Sequence, residues 1–206
     1  MSEISKATFK RFPVYLKALR KLEADGISKV ESSELSKYLD IKSTTIRRDF
    51  SLLGQLGKQG YGYDVKKLIK IFSDQLDNKY GGKMILIGVG RLGKAILNYN
   101  NWNVVAGEIV CAFDLKPEVR NKEDKVNVPV YHIDELESRF PKDCEIAILC
   151  IPSGGQEVVD RLHKLGIKGI VNFTREHFIL PDGMIKTDVD VVSTIQELLF
   201  EVNNLK

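Results

Sequence analysis

The sequence predicts a two-module α/β protein, in which a small helical module with a short hairpin precedes a doubly wound parallel sheet and a closing helix. Three observations carry that expectation. The first is charge: the 206 residues hold 31 Lys and Arg against 28 Asp and Glu, a formal +3, but residues 1–80 hold 16 against 10 and residues 81–206 hold 15 against 18. A basic module joined to a mildly acidic one implies different partners for each. The second is pattern, which changes near Gly82 from helical spacing to short continuous apolar runs alternating with helical segments. The third is a Gly-x-Gly-x-x-Gly stretch joining the first such run to the helix behind it. The boundary falls in the linker-like run Asp77 to Gly82, giving modules over 1–80 and 83–206.

In the first module, Val14, Leu16, Leu19 and Leu22 recur at helical spacing and Gly26 supplies a stop. A second helix is predicted through Leu35 to Leu39, with Ser32 or Ser33 as its N-cap. After the three-residue break Asp40-Ile41-Lys42, Ser43 is expected to cap a third helix. Ile46, Phe50 and Leu53 share one side of it, leaving Thr44, Thr45, Arg47 and Arg48 for other faces. Helix, short turn and capped basic helix is the pattern of a helix-turn-helix, whose second helix sends side chains to base edges in the major groove. A small three-helix packing with a solvated arginine pair is the alternative. The Gly-punctuated segment Gly57-Lys58-Gln59-Gly60-Tyr61-Gly62-Tyr63 favours the DNA reading, because a tight hairpin there would be the wing of a winged helix reaching the phosphate backbone. Asp64 is expected to cap a fourth helix, from Val65 to about Leu76.

The second module opens with Lys83-Met-Ile-Leu-Ile87, an apolar run of the kind found in a strand covered on both faces. It feeds into Gly88-Val89-Gly90-Arg91-Leu92-Gly93 and a helix, and the next strand, Glu108 to Phe113, ends in Asp114, 21 residues beyond Gly93. Strand, glycine loop, helix and a distal acid together make the dinucleotide fingerprint. Gly88 makes the tight turn, Gly90 leaves room for a pyrophosphate over the helix N-terminus, and Gly93 allows close packing of helix and strand. Asp114 would accept hydrogen bonds from ribose hydroxyls and repel a 2′-phosphate, favouring NAD over NADP, with Lys116 as a counterweight. Further strands are predicted at Val128–Tyr131, Cys144–Ile151 and Gly169–Phe173, with a helix from Gln156 to Leu165. Ligands of such sheets lie beyond the carboxyl ends of the strands, so Ile151, Pro152, Ser153 and Phe173 should flank the nucleotide. The apolar-faced helix from Val191 to about Val202 is expected to dock on a partner subunit.

No segment has the signature of a signal peptide or approaches the roughly 18 apolar residues of a membrane span, so a cytoplasmic protein is expected. Cys111, Cys144 and Cys150 form no CxxC pair and sit in strand-like surroundings, which predicts reduced, buried thiols. His132, His163 and His177 lack metal-ligand spacing.

Taken together, the residues resemble the Rex redox-sensing transcriptional repressors over nearly the whole chain. The resemblance rests on Ile46-Arg47-Arg48-Asp49-Phe50-Ser51, the wing segment, the Gly88–Gly93 loop, Leu97-Asn-Tyr99, Ala112-Phe-Asp114, Pro129-Val-Tyr-His132, Glu145-Ile-Ala-Ile148 and the run Ile167 to Phe173. It implies a homodimer that binds operator double-stranded DNA when NADH is scarce and leaves it when NADH occupies the Rossmann domains. It further implies that Ser43, Thr44, Thr45, Arg47 and Arg48 form a recognition helix and Lys58, Gln59 and Gly60 a wing, with Lys10, Arg11 and Tyr61 completing the DNA-binding set. The implied dinucleotide set is Gly88, Val89, Gly90, Arg91, Leu92, Gly93, Asp114 and Lys116, with Tyr99 near the nicotinamide. Asp190 matches an acid that switches between that tyrosine and an arginine of the DNA-binding domain. Here the chain departs from the family, because Lys17 stands at the arginine's position and cannot form the same bidentate bond.

Two other functions stay open on the residues alone. A regulator of the same architecture could sense another nucleotide, such as a CoA ester. An NAD-dependent dehydrogenase would need a proton-transfer residue beside the nicotinamide, and none of the three histidines sits in a catalytic motif.

Overall fold

The computed structural model describes residues 4–54, 56–58, 61–80, 82–98, 107–117 and 126–205. Gln59, Gly60 and Tyr99 lie outside the described residues. The chain divides into two compact units that part between Gly81 and Gly82.

In the first unit, Ser5 caps a one-turn helix α1 (Lys6–Phe9), and α2 (Phe12–Ala24) follows with Pro13 in its first turn, where a missing N–H costs nothing. Because α2 starts at Phe12, its buried stripe runs through Phe12, Tyr15, Leu16, Leu19 and Leu22. Val14, expected on that face, is 43% exposed. A two-residue strand β1 (Lys29–Val30) precedes α3 (Ser32–Leu39) and α4 (Ser43–Ser51). The caps lie further toward the N-terminus than expected. Glu31 caps α3 through a reciprocal box with Glu34, whose carboxylate accepts the Glu31 amide at 2.7 Å, and Ser32 is already helical. Lys42 holds the N-cap position of α4 without a side-chain bond, so Ser43 is its first helical residue. Strands β2 (Gly57–Lys58) and β3 (Gly62–Asp64) pair antiparallel, and β1 joins the other side of β3. The amide of Lys67 donates to Asp64 at 2.8 Å, so Asp64 caps α5 (Val65–Tyr80). The segment 77–80, read from sequence as linker, continues this helix. Rings of Phe12, Tyr15, Phe50 and Phe72 meet at centroid distances of 5.1–5.7 Å and form the centre of the core with the leucines of α2 and α5.

The second unit is a six-stranded parallel sheet. Its strands are β4 (Lys83–Ile87), β5 (Glu108–Asp114), β6 (Val130–His132), β7 (Cys144–Leu149), β8 (Gly169–Asn172) and β9 (Ile185–Asp188), in the order β6-β5-β4-β7-β8-β9. Counted within the unit this is 3-2-1-4-5-6, the order of dinucleotide-binding sheets, with the reversal at β4. Along β4, Met84 and Leu86 enter one core and Ile85 and Ile87 another, so both faces of the sheet are covered. The helices are α6 (Arg91–Leu97), α7 (Leu136–Arg139) after a 3₁₀ turn at Ile133–Glu135, α8 (Gly155–Lys164) and α9 (Val191–Asn203). The expected fold class holds. No residue of α9 is buried, and Val191, Ile195, Leu198, Leu199 and Val202 are each more than half exposed. Among the described residues no helix is long and apolar enough to cross a membrane.

Candidate functional site

On α4, Ile46, Asp49 and Phe50 are buried while Thr44, Arg47, Arg48 and Ser51 are exposed, at the i, i+3, i+4, i+7 spacing of a single outward face. Ser43 and Thr45 are half-buried beside it. The Arg47 guanidinium donates to the hydroxyl of Ser32 at 3.2 Å, which steadies it against α3. Lys10 is exposed, and Tyr61, at the turn between β2 and β3, is 72% exposed. Arg11, expected at the DNA, is engaged inside the unit instead: its Nε and Nη2 donate to the two oxygens of the buried Asp49 at 2.6 and 2.7 Å. Its bidentate fork is spent on holding α4 in place.

In the second unit the glycines divide the work. Gly88 has φ +95°, and a Cβ there would lie 2.8 Å from the Cys150 carbonyl. A Cβ on Gly93 would lie 2.1 Å from the Gly88 carbonyl oxygen, so that position admits no side chain. A Cβ on Gly90, the N-cap of α6, would meet nothing within 4 Å. Gly90 is therefore not required by the packing of this chain, and it leaves the helix N-terminus open to a ligand. Asp114, at the end of β5, accepts the amides of Val89 at 2.7 Å and Lys116 at 2.9 Å, which fixes its carboxylate beside the glycine loop. The side chain of Val89 is buried in the core, leaving its amide as the part that faces Asp114.

A cavity of about 600 Å³ lies beyond the carboxyl ends of β4, β5 and β7, and brings together Gly88, Gly90, Asp114, Lys116, Ile151, Pro152 and Ser153. A second cavity, of about 640 Å³, lies beyond β8 and β9 and gathers Leu92, Phe173 and Asp190. Arg91 is exposed and Gly93 buried, and neither lines these cavities. Sequence reasoning missed Ile133, Asp134 and Arg161 in the first cavity and Asn172, Glu176 and Asp188 in the second. The strand-end rule applied to β6 points to Ile133 and Asp134; Arg161 carries no comparable signal. Its guanidinium is bound by Glu137 at 2.7 Å through both Nε and Nη2, and that contact draws the Glu137 carboxyl down to about 2. In the second cavity, Asp188 accepts from Asn172 at 2.7 Å and from Lys186, which hold its carboxyl below the usual range. Asp190 caps α9, accepting the amides of Val192 and Ser193 and the Ser193 hydroxyl at 2.5 Å, and these bonds likewise depress it.

Residues 3–51 match the family described as putative DNA-binding protein N-terminus, and residues 79–176 match the CoA binding domain family. The chain is 42% identical over 206 residues to the redox-sensing transcriptional repressor Rex of Lysinibacillus sphaericus (strain C3-41), covering 98% of this chain and 96% of that protein. It is 42% identical over 199 residues to Rex of Geobacillus sp. (strain WCH70), covering 96% and 92%. Among solved structures, RSP bound to beta-NAD+ and operator DNA superposes with a TM-score of 0.82 at 30% identity, covering 98% of this chain and 94% of that one. RSP bound to beta-NADH superposes at 0.79 and 29% identity, covering 98% and 96%.

Proposed function

This chain belongs to the Rex family of redox-sensing transcriptional repressors, and on that premise we propose that it binds operator DNA through α4 and its wing and is released when NADH occupies the second unit. It reads as a regulator rather than an enzyme, since its relatives are named transcriptional repressors. The observation that carries the reading is Asp114 held at the end of β5 by the glycine-loop amide of Val89, beside an N-cap glycine that no internal contact demands. Gly88, Gly90 and the start of α6 would hold the pyrophosphate and Asp114 the ribose. The bound dinucleotide supplies the redox signal, since the oxidised and reduced rings differ by one positive charge.

What the second cavity offers is charge: the carboxylates of Asp188, Asp190 and Glu176 and the guanidinium of Arg175 line it, and each is sensitive to whether the ring beside it is cationic. NADH can release the operator only by binding the DNA-incompetent arrangement more tightly, and by linkage the operator weakens NADH binding by the same factor.

The exposed apolar stripe of α9 supports a homodimer. In a two-fold dimer, release needs only a change in recognition-helix separation away from the roughly 34–36 Å of one DNA turn. The test is operator binding titrated with NADH, NAD⁺, NADPH and acetyl-CoA. Loss of binding confined to NADH supports the reading. Loss confined to acetyl-CoA favours the second reading raised by the CoA binding domain match, and indifference to all four removes nucleotide sensing altogether.

A further inference from the structure

The two cavities of the second unit are joined by a clasp between the start of α8 and the loop after β8. The Glu176 carboxylate accepts the amide of Gly155 at 2.6 Å and that of Gly154 at 3.3 Å, both at the N-terminus of α8, where unpaired amides and the helix dipole favour a negative charge. One residue beyond Gly155, the carboxamide of Gln156 closes a second double contact with Ile179, three residues beyond Glu176. Its Oε1 accepts the Ile179 amide at 2.8 Å and its Nε2 donates to the Ile179 carbonyl at 3.1 Å. Phe178 lies between these contacts, only 7% exposed, and packs into the core. Gly155 permits the approach, since a Cβ there would be 2.9 Å from Glu176 Oε2 and 3.2 Å from the Phe178 ring.

From Glu176 the network runs back into the second cavity. The Glu176 amide donates to Thr174 Oγ1 at 3.2 Å, the Thr174 amide to Asn172 Oδ1 at 2.9 Å, and Asn172 Nδ2 to Asp188 at 2.7 Å. Asn172 is 2% exposed, so this relay is anchored in the sheet. One end of the chain of bonds is thus Gly154, a wall of the cavity that holds Asp114, and the other is Asp188, a wall of the cavity that holds Asp190. Both parts of an extended ligand spanning the two cavities would be held in register by the same bonds.

We propose that Glu176 and Gln156 are positioning residues that hold the second cavity in register with the first, so that a dinucleotide gains binding from both at once. The inference rests on the dinucleotide reading above and adds residues that the fingerprint does not contain. A ligand filling only the first cavity does not need the clasp, whereas one filling both does.

The experiment compares binding of ADP, which fills only the adenosine half, with binding of NADH, by calorimetry on the full-length wild type, Glu176→Gln and Gln156→Ala. In Glu176→Gln the amide NH₂ faces helix N–H donors and at least one of the two bonds fails. The expected result is NADH binding weakened on the order of tenfold, the size of one lost hydrogen bond to a charged group, with ADP binding within about twofold of wild type. Gln156→Ala, at an exposed position, should show the same split, and it decides the matter if Glu176→Gln does not fold. Equal weakening of ADP and NADH would overturn the proposal by showing that the clasp only supports the fold, and so would unchanged NADH binding. A wild type that binds neither ligand would instead remove the dinucleotide reading on which the proposal stands.

Discussion

Arg11 and Asp49, 38 residues apart, form a two-pronged ion pair across the first unit, at 2.6 and 2.7 Å, with the Tyr15 hydroxyl donating to the same carboxylate at 2.7 Å. Asp49 is 1% exposed and lies on α4 between Arg48 and Phe50, so this contact ties α4 to the start of α2. Arg11→Ala would leave a buried carboxylate with one remaining side-chain donor from α2, and the expected loss is about 3 kcal/mol, read by urea unfolding. Tyr15→Phe should cost about 1.5 kcal/mol. Burial alone would raise the Asp49 carboxyl, but hydrogen bonds from Arg11 and Tyr15 hold it below the ordinary value. A carboxyl depressed in the folded state stabilises fully above its unfolded value of about 3.9 and loses that contribution as pH falls through the lower folded value. The stability gap between wild type and Asp49→Asn should therefore shrink in melts taken progressively below pH 4.

The requirements for the second and third glycines of the loop can be separated. Gly93→Ala places a Cβ 2.1 Å from the Gly88 carbonyl oxygen, and the expected cost is at least about 1–3 kcal/mol with loss of NADH binding. Gly90→Ala meets nothing within 4 Å and keeps an allowed φ of −74°. It should melt like the wild type and still lose NADH binding, because only the ligand needs the space. A Gly90→Ala protein that binds NADH normally would place the pyrophosphate elsewhere.

Much of this was legible in the sequence, and the misses share a cause. Ile46 and Phe50 declare the buried side of α4 by local spacing, and the glycine loop with Asp114 declares its strand, turn and helix within one stretch of chain. Asp49 reads as part of a polar run until Arg11 is seen opposite it, and Arg11 reads as a free cation for the same reason. Strand β9, Ile-Lys-Thr-Asp, has no apolar alternation and exists through its ladder to β8, pairing Gly169 with Ile185 and Asn172 with Asp188. Glu31, and neither Ser32 nor Ser33, caps α3 because Glu34 reaches back to complete the box. Local pattern specified the elements, and long-range pairing specified which polar groups were spent inside.

DNA binding and nucleotide response should dissociate by mutation. Asp114→Ala removes the acceptor of the Val89 and Lys116 amides, so operator binding should persist while its sensitivity to NADH falls. Arg47→Ala, on the outward face of α4, should weaken operator binding by about 1–3 kcal/mol if the guanidinium reads a base, with NADH affinity unchanged. Electrophoretic shift and calorimetry on the same preparations check both, and a parallel loss in either variant would indicate misfolding.

The thiols should take no part in redox sensing. Burial pushes Cys111 up to about 12 and Cys150 up to about 11, and also raises Cys144, whose Sγ lies 3.3 Å from the Lys83 carbonyl oxygen. At pH 8 the Cys150 thiolate is about one part in a thousand. Iodoacetamide is expected to leave all three unmodified in the folded protein and to label all three in urea, by mass spectrometry. A thiol labelled at pH 8 in the native state would reopen a direct oxidation route.

Helix α9 supplies the clearest expectation about assembly. Val191, Ile195, Leu198, Leu199 and Val202 lie along one side of the helix, each more than half exposed, which leaves an apolar stripe that a lone chain does not cover. The wild type should sediment as two chains, with a melting temperature that rises with protein concentration. Replacing Leu198 and Val202 by Asp sets charge into that stripe and should yield single chains. Such a variant should bind an isolated operator half-site like the wild type, yet bind the full two-half-site operator more weakly by a factor on the order of 10², because the second contact is no longer intramolecular. A variant that still sediments as two chains would place the dimer contact on a surface other than α9.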